Sequence, residues 1–495
     1  MRAVPAWAAP AVAAAAAGLV GLLRVSPGID GDRQIFMTVA AAIARGQKLY
    51  VEVYDNKDPL FFWTDAVAYG LLGPVGLFIL EFLLLAAVGA LSCAIGVRLG
   101  ARPLAGIALG VMAAGVMTVP SWFESGSSQF LGITLFFGAL LAVLHGRFLV
   151  GGLIAGLMVD ARLNFIVLVG VLIAVAACMA PSAWAPRVGK LVTGVAVSVL
   201  AMLVVLAARG ELVGYVNAVR GNVGYTGRAY DLIYGEPGPP FGPLARALGD
   251  LGDRVAGWVV IIVVLAALSR LGFTVARRGW AAALTGRSGI GGLLVMASVA
   301  ATLVLFATSH IWALHLPVVV VTTVLCVAYL LAEWTALAPP RRQAAAAALA
   351  LAMLLAADAT SLVRSVADAR NIPTRWSLPE GDLQPALRRA LPAGEGTADV
   401  ALLGYHTQGF PGSMPDRVRL ACKYPFAYAW YPREMLDEYQ RCLAGTPDVV
   451  ALHRWRYPQL GAFYAAVDRA LAERFTPVEQ TQSGWTIWVP NATPR

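Results

Sequence analysis

Long runs of apolar residues, separated by short polar segments, occupy the first three quarters of the chain. A helix that crosses a membrane needs about 17–25 predominantly apolar residues, because the hydrocarbon core is about 30 Å thick. Runs of this kind predict about eleven spanning helices. They lie near residues 5–25, 75–97, 103–120, 128–145, 148–160, 163–180, 190–208, 255–274, 289–308, 311–332 and 344–362.

The polar C-terminal segment has a different pattern. Residues 399–404, 448–453 and 485–489 have the composition of strands, whereas residues 433–443 and 459–473 have helical apolar spacing. Alternating strands and helices are typical of a partly parallel sheet. We therefore predict a membrane domain over residues 1–362 and a soluble α/β domain over residues 363–495.

The composition agrees with a polytopic α-helical membrane protein. Of the 495 residues, 58% are hydrophobic and only 14% are charged, whereas soluble proteins average about 25% charged residues. The net charge of +9 comes from Lys and Arg scattered between the apolar runs. This distribution indicates loop charges that face a lipid bilayer, and it argues against a nucleic-acid partner.

Basic residues in the short loops predict the orientation, because such loops are cytoplasmic when they carry Lys and Arg. This rule places residues 26–59, residues 209–254 and the C-terminal domain outside the cytoplasm. Residues 60–72 are apolar but short, so we expect an interfacial or re-entrant helix; a full span there would reverse every later loop. The basic residues in question are Arg98, Arg102, Arg147, Arg187, Lys190, Arg277, Arg278, Arg287, Arg341 and Arg342.

Two of the five cysteines, Cys422 and Cys442, lie in the polar tail. If the tail faces an oxidising compartment, we expect them to form a disulfide. No Cys or His cluster has zinc spacing. We therefore expect no resident cofactor, although dependence on a divalent cation stays open.

The first outer loop, residues 26–59, is the most informative stretch for chemistry. Acidic residues recur along it and stand beside an apolar membrane surface. Asp32 lies just before a predicted helix start, Gly46 ends that helix, and the chain returns to the membrane at residues 57–59. The loop therefore brings a carboxylate and a cation to the same interface, although a solvated surface loop would share this composition.

This loop resembles the first outer loop of the GT-C glycosyltransferases, a family that includes protein O-mannosyltransferases, lipid A aminoarabinose transferases and many enzymes that use polyprenyl-phosphate sugars. The chain departs from the family pattern at Asp58, where a Pro is usual. The Asp58 carboxylate could pair with Lys57 and weaken its hold on a phosphate, and in that case Arg162 would carry the phosphate instead. The matching residues, in order, are Asp32, Gly46, Tyr50, Asp55, Lys57 and Pro59.

The resemblance implies an inverting transferase that moves a sugar from a polyprenyl-phosphate donor to an extracytoplasmic glycan, glycolipid or protein. It implies that Asp32 is the general base and that Lys57 contacts the donor phosphate, with Asp30 and Asp55 beside the substrate. The family also has an acid in the next outer loop. Here the corresponding candidate is Glu124, which stands a few residues early, while Ser128 lies near the usual place.

Further polar residues interrupt the apolar pattern and are candidates for substrate binding. Charges at membrane depth are costly and are often functional, although Asp160 and Arg162 could simply neutralise each other. The GT-C family often has a Lys or Arg at this place, so the resemblance makes Arg162 a second candidate for contact with the phosphate. The second long outer loop is rich in Arg, Tyr and Gly, which suits a sugar phosphate or a flexible surface loop equally well. The remaining candidates are Tyr225, Arg228, His310 and His315.

Two other functions stay open on the sequence alone. The first is a transporter or flippase, although such proteins usually carry inverted repeats and interrupted helices, and the chain shows neither. The second is a scaffold of envelope assembly that kept the GT-C fold without catalysis. The departures from the family pattern at Asp58 and Ser128 keep this alternative open.

The orientation is directly testable. Reporter fusions placed after Arg342 and after Arg370 should report opposite sides of the membrane, with the Arg370 fusion outside the cytoplasm. A cytoplasmic signal at Arg370 would contradict the orientation, and with it the role of Asp32.

Overall fold

A computed structural model gives the architecture of most of the chain. Within several helices, including residues 31–34, 224–234 and 255–259, it describes the backbone only. The described residues are 5, 7–24, 31–118, 128–179, 181–234, 255–283, 286–308, 316–337, 382–394, 396–404, 417–425, 432–454, 456 and 460–491.

Thirteen α-helices are described before residue 338. Most begin and end close to the apolar runs, because burial of these side chains in lipid or in the bundle decides where the helices lie. In chain order they are α1 (Ala9–Arg24), α2 (Gly31–Ala44), α3 (Pro59–Leu72), α4 (Pro74–Leu99), α5 (Pro103–Met117), α6 (Ser128–Leu144), α7 (Phe148–Ala161), α8 (Ile166–Cys178), α9 (Trp184–Arg209), α10 (Leu212–Tyr234), α11 (Val255–Ala283), α12 (Gly286–Thr308) and α13 (Leu316–Leu337).

Within the described residues, three helical segments are long and apolar enough to cross a membrane by themselves: Pro74–Leu99, Trp184–Arg209 and Val260–Arg277. Shorter apolar helices pack beside them, including α5, α6 and α7. Ten of the eleven predicted spans coincide with a described helix. The eleventh, near residues 344–362, lies outside the described residues, as does the proposed domain boundary at residues 362 and 363.

Small residues let the helices approach closely. A Cβ atom on Gly110 would lie 2.3 Å from the carbonyl oxygen of Gly89, and one on Gly152 would lie 2.1 Å from that of Leu191. These glycines are at the α4–α5 and α7–α9 contacts. Such contacts are how helices pack in lipid, where hydrophobic burial between helices contributes little.

The short helix α3 has the character predicted for an interfacial segment. Its 14 residues extend over about 21 Å, less than the thickness of a hydrocarbon core. Gly73, with φ of 62°, separates it from α4. One side of α3 buries Phe61 and Phe62, whereas Val67 and Leu71 are exposed, so an apolar face is available to lipid.

The second long outer loop differs from its sequence-based description. Residues 212–234 form the 23-residue helix α10, where the sequence suggested either a binding loop or a flexible one. Apolar and aromatic residues recur at helical spacing along it, including Leu212, Tyr215 and Val216. This amphipathic pattern accounts for the helix, despite the Gly and Arg residues that obscure it.

The C-terminal segment contains five strands, β1 (Ala398–Leu403), β2 (Val418–Leu420), β3 (Val449–His453), β4 (Phe475–Gln480) and β5 (Trp485–Pro490). They form a mixed sheet with the strand order β2-β1-β3-β5-β4. The β1–β2 and β1–β3 pairs are parallel, and the other two pairs are antiparallel. The sequence predicted β1, β3 and β5 but missed the short β2 and the Pro-containing β4. The helices of this segment are α14 (Leu383–Ala390), α15 (Pro432–Ala444) and α16 (Gly461–Arg474).

The first outer loop is attached to this sheet at the edge strand β2. The side chain of Gln47 forms two hydrogen bonds with the backbone of Leu420: its amide nitrogen donates to the carbonyl oxygen at 3.0 Å, and its oxygen accepts from the N–H at 3.0 Å. Arg45 donates to the carbonyl oxygen of Val418 at 3.1 Å. Gln47 thus satisfies backbone groups that an edge strand would otherwise leave unpaired.

The predicted disulfide is confirmed: Cys422 and Cys442 are bonded, with Cα atoms 5.4 Å apart. Cys422 follows β2, and Cys442 lies in α15. Lys423, the residue after Cys422, accepts a hydrogen bond at its carbonyl oxygen from the Tyr54 N–H at 2.8 Å. The disulfide therefore fixes the segment against which the first outer loop packs.

We expect the disulfide to contribute substantially to the stability of the C-terminal domain. It closes a loop with a sequence separation of 20, for which chain entropy gives roughly 3 kcal/mol. Cys442→Ser should therefore lower the unfolding temperature in a thermal melt, whereas Cys178→Ser, at a free cysteine in α8, should not. Free-thiol labelling of Cys422 and Cys442 in native, unreduced protein would contradict the bond.

Candidate functional site

Tyr50 organises the return of the first outer loop to the membrane. It adopts a left-handed conformation, with φ of 64°, inside a turn in which the Lys48 carbonyl oxygen accepts the N–H groups of Glu52 and Val53. The Tyr50 hydroxyl donates to the carbonyl oxygen of Lys57 at 2.6 Å. Burial raises the pKa of Tyr50 well above its usual value, so the hydroxyl stays protonated and donates.

Lys57 is held by its immediate neighbours. Its backbone N–H donates to the Asp55 carboxylate at 2.9 Å, and its ammonium donates to the Asn56 side-chain oxygen at 2.9 Å. The ammonium also lies 5.5 Å from the centre of the Phe36 ring. Among the described residues Lys57 has no ion-pair partner, which leaves its positive charge available to an anionic ligand.

The neighbouring carboxylate, Asp58, does not pair with Lys57, contrary to one sequence-based expectation. It is partly buried, accepts the Leu163 N–H at 2.8 Å and accepts the Tyr215 hydroxyl at 3.4 Å. Burial raises the pKa of Asp58 to about 6, against the opposing effects of the Leu163 bond and the nearby Arg162 charge. Asp58 therefore joins the first outer loop to the turn that follows α7.

That turn carries Arg162, whose side chain is buried. Its guanidinium donates to Ser128 Oγ at 2.8 Å and to Asn164 Oδ1 at 3.1 Å, and it lies 6.0 Å from the Phe165 ring. Ser128 is the first residue of α6, near the place where the GT-C pattern has its second acid. The structure therefore brings Arg162 and the start of α6 together beside Asp58.

Helix α10 supports the same loop from another side. Asn222 donates its side-chain N–H to the carbonyl oxygen of Asn56 at 2.6 Å. The rings of Tyr215 and Tyr50 are 5.5 Å apart, and the Tyr215 hydroxyl contacts Asp58. The residues on both sides of Lys57, Asn56 by its backbone and Asp58 by its side chain, are thus contacted by a helix more than 150 residues further along the chain.

A small apolar cavity of about 20 Å³, roughly the space of one water molecule, lies beside Phe36. It is lined by side chains from α2, α3, α4 and α6, and Phe36 belongs both to this cavity and to the surroundings of the Lys57 ammonium. Two carboxylic residues, Asp65 and Glu81, are buried along it. Its apolar lining consists of Phe36, Met37, Phe61, Leu77, Leu80, Leu84, Phe130 and Leu131.

Of the residues predicted for the site, Asp55, Lys57 and Arg162 are brought together. Asp32 lies in the first turn of α2, which begins at Gly31, rather than before the helix as the sequence suggested. Asp32, Tyr225 and Arg228 are described by their backbone alone. Asp30, Glu124, His310 and His315 lie outside the described residues.

Four residues of the site were not predicted to hold it together: Asn56, Asp58, Tyr215 and Asn222. The helical spacing within α10 is the signal that could have identified the last two. Within the described parts of the chain, no group of three or more His, Cys, Asp or Glu residues is arranged to hold a metal ion.

A solved structure shares this architecture. The chain is similar to ArnT from Cupriavidus metallidurans, whose crystal structure is bound to undecaprenyl phosphate, with a TM-score of 0.52 and 13% sequence identity over 98% of each chain. The chain has the GT-C fold. This confirms the fold expected from the first outer loop, and at this identity the similarity concerns the fold alone. No protein-family model matches the chain, and no curated protein matches its sequence.

The raised pKa of Asp58 predicts how stability depends on pH. Between about pH 4 and pH 6 the folded protein binds more protons at Asp58 than the unfolded chain does. The contribution of Asp58 to the free energy of unfolding therefore falls as pH rises through that window. Asp58→Asn keeps an acceptor for Leu163 without a charge. We expect it to be on the order of 1 kcal/mol more stable than wild type at pH 7, and equal to wild type near pH 4.

Thermal melts of purified protein across this range would measure the effect. Asp58→Ala serves as the comparison, because it also lacks the carboxylate but leaves the Leu163 N–H unpaired, and it should be about 1–3 kcal/mol less stable than Asp58→Asn at every pH. Parallel melting curves for wild type and Asp58→Asn at all pH values would show that Asp58 does not titrate in this window.

Proposed function

We propose that this protein is a membrane glycosyltransferase that transfers a sugar from a polyprenyl-phosphate donor to an acceptor outside the cytoplasm. The observation that carries the proposal is the placement of two cations, Lys57 and Arg162, on either side of the Asp58–Leu163 hydrogen bond. The GT-C fold, shared with a protein whose structure contains undecaprenyl phosphate, supports it.

The two cations suit a lipid phosphate that leaves during the reaction. Charge accumulates on the phosphate oxygens as the bond to the sugar breaks, and fixed cations in a partly desolvated site stabilise that charge. Lys57 contributes an ammonium that has no ion-pair partner within the described part of the chain, and Arg162 contributes a guanidinium oriented by Ser128 and Asn164.

We assign the general base to Asp32. It lies four residues before Phe36 in α2, and residues at this spacing share a face of a helix. Phe36 is the residue whose ring faces Lys57, so this face of α2 is directed toward the proposed phosphate site. A carboxylate in the first turn of a helix is also favoured by the helix dipole.

The proposed reaction is a single displacement. The Asp32 carboxylate takes the proton of an acceptor hydroxyl as that oxygen attacks the anomeric carbon. The bond between the anomeric carbon and the phosphate oxygen breaks, and polyprenyl phosphate leaves with the electron pair. Attack opposite the leaving group inverts the anomeric configuration. Glu124, Asp30, Tyr225, Arg228, His310 and His315 remain candidates for positioning the two substrates.

Three substitutions test the proposed roles of the base and of the two cations. Asp32→Asn cannot accept the proton, so single-turnover transfer should fall by about 10²–10⁴-fold while donor binding survives. Lys57→Ala removes a cation that both binds the phosphate and stabilises its departure, so donor affinity and turnover should fall together. Arg162→Ala should do the same, and it should also weaken the contact with α6.

Donor binding and single-turnover transfer, measured on purified protein with a panel of synthetic polyprenyl-phosphate sugars, would separate these outcomes. Lys190→Ala, at an exposed lysine in α9, controls for loss of a positive charge. A transporter or a non-catalytic scaffold would transfer no sugar at all. If Asp32→Asn transfers sugar at the wild-type rate, another residue is the base.

A further inference from the structure

A polar cleft lies between the first outer loop and the C-terminal domain. Its volume is about 470 Å³, within the range of roughly 300–1,000 Å³ that is usual for small-molecule sites. Val51 and Glu52 from the Lys48–Val53 turn form one wall. The others come from β1, β2, α15 and the residues that follow α15.

The charged groups of the cleft are largely paired with one another. Arg419 donates two hydrogen bonds to Asp399, at 2.7 and 2.8 Å, and Arg441 donates to Glu438 at 2.8 Å. Together with Glu52, the lining carries three carboxylates and two guanidiniums. An excess of one negative charge disfavours an anion such as a lipid phosphate or a phosphorylated glycan.

The same groups can recognise hydroxyls. Arg441 and Arg419 are 75% and 54% exposed, and Asp399 is 37% exposed, so donors and acceptors remain accessible although the charges are paired. A sugar hydroxyl both donates and accepts, and hydrogen bonds to charged groups are worth more than neutral ones. Val51, Ala421 and Pro447 add apolar surface for the C–H faces of a sugar ring.

We infer that this cleft binds the acceptor as a neutral oligosaccharide segment. The inference rests on the proposed glycosyltransferase function and names the class of acceptor. The Lys48–Val53 turn contacts both the cleft and the proposed phosphate site. Val51 and Glu52 line the cleft, whereas the Tyr50 hydroxyl donates to the carbonyl oxygen of Lys57. A glycan held in the cleft therefore lies beside the loop that holds the donor phosphate.

Direct binding tests the cleft without knowledge of the sugar that is transferred. Full-length protein in lipid nanodiscs is titrated with neutral trisaccharides of glucose, mannose and arabinofuranose, with their phosphorylated counterparts and with a lysine-rich peptide. We expect a neutral trisaccharide to bind. Val51→Trp, which fills the cleft, should weaken that binding at least about tenfold, and Arg441→Ala should weaken it about three- to tenfold.

Matched controls lie on the same domain outside the cleft. Val478→Trp in β4 and Arg469→Ala in α16 replace exposed residues of the same types, and both should bind like wild type. The inference is overturned if no neutral trisaccharide binds, if the cleft variants bind it normally, or if the phosphorylated sugars or the peptide bind instead. Arg441→Ala keeps the test decisive should Val51→Trp fail to fold.

Undecaprenyl phosphate is titrated into the same samples to separate the two proposals. Its affinity should be the same in wild type, Val51→Trp and Arg441→Ala, because none of these changes touches Lys57 or Arg162. Failure of wild type to bind it would contradict the proposed function and leave the cleft result standing. Equal loss of lipid and sugar binding in both cleft variants would instead show that they disturb the turn, and would overturn the acceptor assignment.

Discussion

The candidate site depends on the Asp58 carboxylate. Its bond to the Leu163 N–H connects two segments that are more than 100 residues apart in sequence, and each carries a cation next to the point of contact. A partly buried carboxylate is costly unless it is hydrogen-bonded and near positive charge. The Leu163 bond and the nearby Arg162 charge offset part of that cost for Asp58, and the bond fixes where Lys57 and Arg162 lie relative to each other.

The first outer loop is also held from two further directions. Helix α10 contacts it through Tyr215 and Asn222. On another side, the Gln47 side chain forms hydrogen bonds with the backbone of the edge strand β2. Its buried apolar side chains belong to one cluster with those of the C-terminal sheet. A loop supported in this way is preorganised, so little rearrangement is needed when charge develops on a bound phosphate.

Much of the membrane domain could be predicted from the sequence, because the hydrocarbon core imposes a minimum length on every apolar run. The C-terminal disulfide could also be predicted, because Cys422 and Cys442 are the two cysteines of the polar tail and would be expected to pair in an oxidising compartment. Helix α10 could not be predicted, since its apolar positions are interrupted by Gly and Arg. Strand β2 has three residues, too few for a periodic signal, and β4 contains Pro477, which argues against a strand.

The site itself was only partly predictable. Asp55 and Lys57 were expected because the first outer loop resembles the GT-C pattern, and Arg162 stands out as a charge in an otherwise apolar stretch. The role of Asp58 depends on a partner 105 residues away, and local reasoning placed it against Lys57 instead. Asn222 and Tyr215 act through contacts across the fold that only the three-dimensional arrangement reveals.

The most direct measurement is a cryo-electron-microscopy structure of the protein in lipid nanodiscs with undecaprenyl phosphate. We predict phosphate oxygens about 2.7–2.9 Å from the Lys57 ammonium and from the Arg162 guanidinium. Phosphate density elsewhere, with Lys57 still bonded to Asn56 and Arg162 to Ser128 and Asn164, would contradict this prediction.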